Sequence, residues 1–232
     1  MLKKTQNYYG GSEFEGLLVA KNYYSWILSE FREVLRGRCL EVGAGIGTVS
    51  TLLLEEDLRQ LTCIEPAENL FPILRQKLWG VPDVSESPRI SRRSVKLFPL
   101  TLHEFAEARI QLFDSIVCIN LLEHIEDGQE AISEMHHLLS AGGHICMLVP
   151  ALQWLYGTLD VSFGHFRRYG KRQLGQLVHD AGFSIVKLKF FNTIGMFTWF
   201  LMGKMLRWRS WNSSSVAAND QAIIPLVRRM ES

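Results

Sequence analysis

Apolar and polar residues change period several times along the chain, and each change marks an element. Leu17 to Leu35 carries Tyr23, Trp26, Ile27, Glu30 and Val34 at three- and four-residue spacing, which predicts a helix. Cys39–Val42 is a short apolar strand running into a glycine-rich turn, and Thr48 to Glu56 predicts the helix after it. A second strand over Leu61–Ile64 is closed by Glu65-Pro66, and a helix follows from Glu68 to Leu78. Residues 80–95 are polar and proline-containing and read as loop, with a third strand over Ser94–Phe98. Phe113–Ile119 is apolar almost throughout, as a strand buried on both faces should be. Asp127 to Leu139 predicts a helix ended by Ala141-Gly142-Gly143, and His144–Val149 predicts a fifth strand stopped by Pro150. Lys171 to Ala181 predicts a further helix, and Ser184–Phe190 a sixth strand.

Strands alternating with helices over short connections predict an α/β fold: a doubly wound, mostly parallel, Rossmann-like sheet with helices on both faces. Right-handed crossovers then place a ligand at the carboxyl ends of the strands. The expected organisation is a helical N-terminal cap over residues 1–36, a core over 37–192, and a basic, apolar extension over 193–232 packed on the core. No internal repeat is visible, and Asn212-Ser213-Ser214-Ser215 reads as a flexible loop.

Composition changes this picture little. With 232 residues, 47% hydrophobic and 21% charged, the chain has the balance of an ordinary globular protein. The four cysteines (Cys39, Cys63, Cys118, Cys146) are far apart in sequence and show no zinc or CxxC spacing, so buried, reduced thiols are expected. The first nine residues lack a signal-peptide core, and no run of about 18 apolar residues suggests a spanning helix, so a cytoplasmic location is expected. Charge is uneven. Residues 163–232 carry 11 basic and 3 acidic side chains, against 14 and 21 in residues 1–162. A basic element on an acidic body favours anionic partners.

The chemistry concentrates at residues 40–50, Leu-Glu-Val-Gly-Ala-Gly-Ile-Gly-Thr-Val-Ser. Gly43, Gly45 and Gly47, with Ala44 between the first two, let backbone pass close under a ligand and leave amides free at the following helix. A dinucleotide site wants G-x-G-x-x-G; here Thr48 stands at the third glycine, and Glu41 would repel a pyrophosphate. Glu41 instead suits a ligand with a cationic amino-acid end. Glu65, 20 residues after Gly45 and followed by Pro66, lies where a nucleoside-binding α/β fold places the acid for its ribose hydroxyls.

The run E-x-G-x-G-x-G resembles motif I of the class I S-adenosyl-L-methionine (SAM) dependent methyltransferases. Phe113-Asp114 to Glu123-His124 resembles the fourth-strand segment of the same family, and Ala141-Gly142-Gly143 its turn before the fifth strand. The resemblance covers roughly residues 20 to 195. It implies SAM as cofactor, with Asn120 and Leu121 lining the methionine side. For the adenine contact the candidates are Thr101-Leu102 and Glu104. The family closes its sheet with a seventh strand in a C-terminal hairpin. Here either that strand is missing or another segment fills the edge; an unpaired edge would favour association, a homodimer included.

Pro150-Ala151, Leu155-Tyr156-Gly157, Asp160, Gly164-His165-Phe166-Arg167-Arg168-Tyr169, Phe191-Asn192, Gly195 and Trp199 resemble a narrower group. These are the type 11/12-like bacterial methyltransferases that accompany glycosyltransferases and surface-polysaccharide genes. The resemblance implies a small-molecule or lipid-linked glycan acceptor. Arg167, Arg168 and Tyr169 are candidate acceptor contacts, since arginine forks bind phosphate or carboxylate, with a packed structural loop as the alternative. A base is needed only for a hydroxyl acceptor, with His165 the first candidate and His124 the second. No metal site is evident from spacing, since no HExxH-like pair exists. Residues 194–208, apolar with Lys204 and Arg207, suit a membrane interface, a lid or a dimer face. Three other readings compete: a SAM-binding protein without turnover, an NAD-binding oxidoreductase, and a nucleic-acid methyltransferase. Against the last, no Asn/Asp-Pro-Pro-Tyr motif or RNA-binding module is present, and no nucleic-acid partner is expected.

Overall fold

In the order of the chain, polar strand entrances and short connections build one sheet. A computed structural model describes residues 9–10, 20–80, 94–108, 110–208 and 213–231. The elements are α1 (Lys21–Phe31), β1 (Gly37–Val42), α2 (Thr48–Leu53), β2 (Leu58–Ile64), α3 (Phe71–Trp79), β3 (Val95–Phe98), α4 (Leu102–Ala108), β4 (Phe113–Ile119), α5 (Gly128–His137), β5 (Leu139–Leu148), α6 (Thr158–Phe163), α7 (Lys171–Asp180), α8 (Thr193–Trp199), α9 (Ser213–Ala218) and α10 (Ile224–Glu231). Short π-helical segments, Phe200–Met205 and Asn219–Ile223, continue α8 and join α9 to α10. The sheet order is β3-β2-β1-β4-β5. The pairs β1–β2, β1–β4 and β2–β3 are parallel. The amide of Phe113 bonds the Leu138 carbonyl and that of Asn120 the Leu148 carbonyl, so β5 runs the same way. The expected α/β fold with a parallel sheet is present.

The described residues form two compact units that interleave along the chain. One takes the residues up to Gly10, Phe31–Cys118 and Leu138–Cys146; the other takes those up to Glu30, Ile119–His137 and everything from Met147. In the first unit Leu40, Leu61, Ile116, Leu74, Phe105 and Phe113 are sealed from solvent, each such side chain contributing roughly 1.5–3 kcal/mol of burial. All four cysteines lie buried as free thiols, and burial pushes Cys146 up to about 12. In the second unit Trp26, Ile224 and Val227 form a core, with Tyr23, Phe191 and Ile194 against it.

Several expectations are corrected. Ser184–Phe190 is not a strand, and among the described residues the sheet ends at β5. Its alternation is real, but Lys187 and Lys189 both turn to Glu30, at 3.0 and 2.7 Å, and Val186 is 79% exposed. β5 begins at Leu139, so Ala141-Gly142-Gly143 lies within the strand, with Gly142 at φ 72°. Ser140 anchors that early start by donating to the Phe113 carbonyl at 2.9 Å. Ser213–Ser215 begins a helix, and Asn212 lies outside the described residues. So do residues 81–93 of the expected loop and the expected start of the first helix, which ends at Phe31. β1 and β2 start two and three residues early because Arg38, Arg59 and Gln60 break the apolar pattern at their entrances. Helices α4 and α6 were not expected. The Thr101–Glu104 capping box announces α4: the Glu104 carboxylate accepts from the Thr101 amide (2.8 Å), and the Thr101 hydroxyl accepts from the Glu104 amide (3.2 Å). Among the described residues no helix is long and apolar enough to cross a membrane.

Two acids from the C-terminal helices hold other helix starts in the second unit. Asp220, buried, accepts from the amides of Asn22 (2.9 Å) and Tyr23 (2.8 Å) in the first turn of α1. Glu231 accepts from Asn192 (2.9 Å) and Thr193 (2.7 Å) at the start of α8. Such amides have no partner within their own helix. Asp220→Ala would leave two of them unsatisfied, and we expect it to lower unfolding stability by about 2 kcal/mol. Urea denaturation checks this; an unchanged midpoint would show that the cap is dispensable.

Candidate functional site

β1 delivers its chain into the glycine turn, and the turn is tied to the end of β2. The amides of Gly43 and Ala44 both donate to the Ile64 carbonyl, at 3.0 and 3.1 Å. Gly43, Gly45 and Gly47 adopt φ of 73°, 55° and 81°, a region that disfavours side chains. Their surroundings differ. A Cβ on Gly47 would press on Leu74 at 2.8 Å, so that glycine serves packing against α3. A Cβ on Gly45 would meet no atom within 4 Å, so the turn borders open space there. Ala44 is buried between them.

Glu65 closes this turn. Its Oε2 accepts from the Gly45 amide at 2.7 Å and its Oε1 from the Ala67 amide at 2.9 Å, across half-buried Pro66. Burial pushes its carboxyl above the usual range, opposed by these two amides. A carboxylate offers about four lone-pair sites, so each oxygen retains capacity for a ligand hydroxyl. Glu41 lies deeper. Its Oε2 accepts from the Ser50 hydroxyl (2.5 Å) and the Cys63 thiol (3.4 Å). Burial pushes this carboxyl up to about 7, and the charge of Glu65 adds to the rise. The two carboxylates therefore sense one another, while Glu41 is engaged inside the unit. Ser50 and Cys63 carried no signal in the sequence, because their role depends on the register of β1, β2 and α2. Leu102 is buried at the start of α4, and Glu104 is that helix's cap.

The second unit gathers the other candidates. Asn120 follows β4 at φ 50°, and Leu121 leads into a 3-10 turn over Leu122–His124. The hub is Asp160, fully buried. Its Oδ1 accepts from His165 Nδ1 (2.9 Å) and Arg168 Nε (2.7 Å). Its Oδ2 accepts from the Gly157 amide (2.9 Å) and Trp199 Nε1 (3.3 Å). Burial would raise the Asp160 carboxyl, but the His165 bond and Arg168 outweigh it and hold it below the usual range. The His124 and His165 rings meet edge to face, 4.8 Å apart. Burial and the neighbouring His165 push His124 down to about 4, against the bond to the Gly164 backbone.

Arg168 and Tyr169, expected as acceptor contacts, turn inward instead. Arg168 is 5% exposed, paired with Asp160, bonded to the Ala151 carbonyl (3.1 Å) and stacked 4.5 Å over Trp199. Tyr169 is 2% exposed and donates to the Leu122 carbonyl at 3.1 Å. A guanidinium so engaged shapes the loop. Arg167 is half-buried, donates to the Glu126 carbonyl (2.7 Å) and lines a shallow depression with Asp127, Gly128 and Gln129. The structure also assembles a donor set that spacing did not show: ligating atoms of Glu123, His124 and His165 lie within 4.8 Å of one another.

Residues 21–188 match a family model described as a methyltransferase domain. An uncharacterized methyltransferase of Staphylococcus carnosus (strain TM300) is 28% identical over 127 residues, 54% of this chain and 53% of that protein. The chain thus spans about half the length of this curated relative. Among solved structures, a Haemonchus contortus phosphoethanolamine N-methyltransferase 2 superposes with TM-score 0.59 at 16% identity, over 89% of this chain and 49% of that one. The N-methyltransferase NodS of Bradyrhizobium japonicum gives 0.53 at 17% identity, over 69% and 73%. The [4+2]-cyclase SpnF gives 0.58 at 17% identity, over 95% and 83%. At these identities the structures are likenesses of fold.

The Glu41 carboxyl yields a pH prediction. Its folded value, about 7, lies above the ordinary 4.5. The stability it allows is full below the unfolded value and lost as pH rises through 7. Wild type should therefore lose on the order of 3 kcal/mol more than Glu41→Gln between pH 4 and 8. Denaturant unfolding at both pH values checks this; parallel losses would contradict the burial of this charge.

Proposed function

The chain belongs to the methyltransferase-domain family, and we propose that it transfers a methyl group from S-adenosyl-L-methionine to an oxygen or nitrogen of a small-molecule or lipid-linked sugar acceptor. The observation that carries the reading is the Glu65 carboxylate, fixed by two amides at the lip of a glycine turn that opens to space at Gly45. That arrangement fits a nucleoside: the turn admits close approach, and the remaining lone pairs of Glu65 suit ribose hydroxyls. When bound, the cofactor supplies an activated methyl group on a sulfonium, open to in-line displacement. Glu41, whose carboxyl burial raises to about 7, would act from beneath the turn in its ionised form, which the cationic methionine end would favour. Gly43 and Gly45 would allow approach, while Ala44, Pro66 and Leu102 supply apolar surface.

Because the reactive group is already activated, the protein mainly positions and excludes water. His165 is our first acceptor-side residue. Asp160 accepts a hydrogen bond from its Nδ1, which leaves Nε2 directed away from that bond. His124, kept neutral at physiological pH, is the second. Arg167 is the arginine we assign to an anionic acceptor. We also propose that residues 194–208 meet a membrane surface or a second copy: Phe197, Leu201, Met205, Leu206 and Trp208 are exposed in this run, with Lys204 and Arg207 among them. An association with surface-polysaccharide assembly belongs to the same proposal.

Calorimetric titration with S-adenosylhomocysteine tests the cofactor. We expect binding by wild type and at least a tenfold weakening in Glu65→Gln, from the loss of charge-assisted bonds of about 1.5–3 kcal/mol. Binding of NADH with none of S-adenosylhomocysteine would overturn the assignment.

A further inference from the structure

We propose that Glu123, His124 and His165 form a binding site for one divalent transition-metal ion of the zinc, iron or nickel type. Two imidazoles and one carboxylate are the donor set such ions take, and they leave coordination positions open. The ligating atoms lie within 4.8 Å of one another. An ion with bonds of about 2.1 Å in a tetrahedral site spaces its ligands about 3.4 Å apart. Closing the set therefore needs at most about 1.4 Å of side-chain movement.

A second observation supports the site independently of that spacing. A metal-binding histidine donates its far N–H to a carboxylate or a backbone carbonyl, which fixes the tautomer and turns the other nitrogen toward the ion. His165 does so here: its Nδ1 bonds the Asp160 carboxylate at 2.9 Å. Asp160 is itself fixed by Arg168, the Gly157 amide and Trp199. Glu123 is fully buried in the 3-10 turn after β4, and its backbone carbonyl accepts from the Phe166 amide at 2.8 Å, which docks the His165 loop beside it.

Binding of the ion stands apart from methyl transfer. Its catalytic consequence rests on that reading: an acceptor oxygen on an open position would be polarised by the ion, and the two histidines would serve the acceptor as ligands.

Titration of the chelator-stripped full chain with Co²⁺, followed by visible absorption, with Zn²⁺ by calorimetry, tests the proposal. We expect one equivalent bound with a Kd of 10 μM or tighter, and at least a tenfold weakening in both His124→Gln and His165→Gln. His179→Ala, at an exposed histidine, should bind as wild type. Circular dichroism and S-adenosylhomocysteine titration of each variant separate loss of the ion site from loss of the fold or of the cofactor site. Should one variant fail to fold, the other carries the comparison. A Kd weaker than 10 μM, or less than a tenfold change in every folded variant, overturns the proposal. Metal binding without S-adenosylhomocysteine binding would sustain the site while removing its proposed role in methyl transfer.

Discussion

The bond from the Gly45 amide to the Glu65 carboxylate is the constraint on which the first unit's chemistry depends. Parallel pairing brings Val42 level with Ile64, so β1 and β2 end together. A turn leaving β1 there must place several amides, and two of them reach the Ile64 carbonyl. Gly45 projects farther, and only an acceptor just past β2 can meet it. Glu65 does so and extends to Ala67, which ties the exit of β2 to the exit of β1. Without it the Gly45 amide would lose a bond to a charged acceptor, worth about 1.5–3 kcal/mol. The shape of the turn and the position of the acid are thus one feature.

Carboxylates that accept backbone amides recur in the second unit. Asp160 takes the Gly157 amide, Asp220 two amides of α1, and Glu231 those of Asn192 and Thr193. Charge-assisted bonds of this kind are short and strong. They satisfy amides of loops and helix starts that apolar packing alone leaves unbonded. This also refines the meaning of the charge imbalance. Residues 163–232 contain three acids, Asp180, Asp220 and Glu231; two of them cap helices, and bases of this segment pair with acids elsewhere in the chain, Arg168 with Asp160 and Lys187 and Lys189 with Glu30.

How much of this was legible in the sequence follows from the range of the interactions. β4 is legible at its true limits because five of its seven residues are apolar, four of them consecutive from Ile116 to Ile119. The glycine turn and Glu65 were legible because their spacing along the chain encodes the geometry. The sixth strand was misread because Ser184–Phe190 has a strand's alternation, while its lysines found Glu30, more than 150 residues away. Arg168 and Arg167 look alike in sequence, yet one is sealed against Asp160 and Trp199 and the other is half-exposed. Nothing local distinguishes them. Glu123 and His165, 42 residues apart, become neighbours through long-range contacts such as the bonds from the Phe166 amide to the Glu123 carbonyl and from the Tyr169 hydroxyl to the Leu122 carbonyl.

The Asp160 network is poorly explained by stability alone. Burying a carboxylate and a guanidinium costs several kcal/mol per ion before their attraction is counted, and apolar replacements of such pairs are often neutral or stabilising. A loop that needed only to pack could use leucine at 160 and 168. What the ion pair adds is direction. Asp160 divides one oxygen between Arg168 and His165 and spends the other on the Gly157 amide and the Trp199 indole, so its position is over-determined. His165 inherits that position, and its second nitrogen is aimed by the same bond. A buried charge cluster that fixes one imidazole beside another is an orienting device, and its cost in desolvation is intelligible if the two rings act on something other than the protein itself.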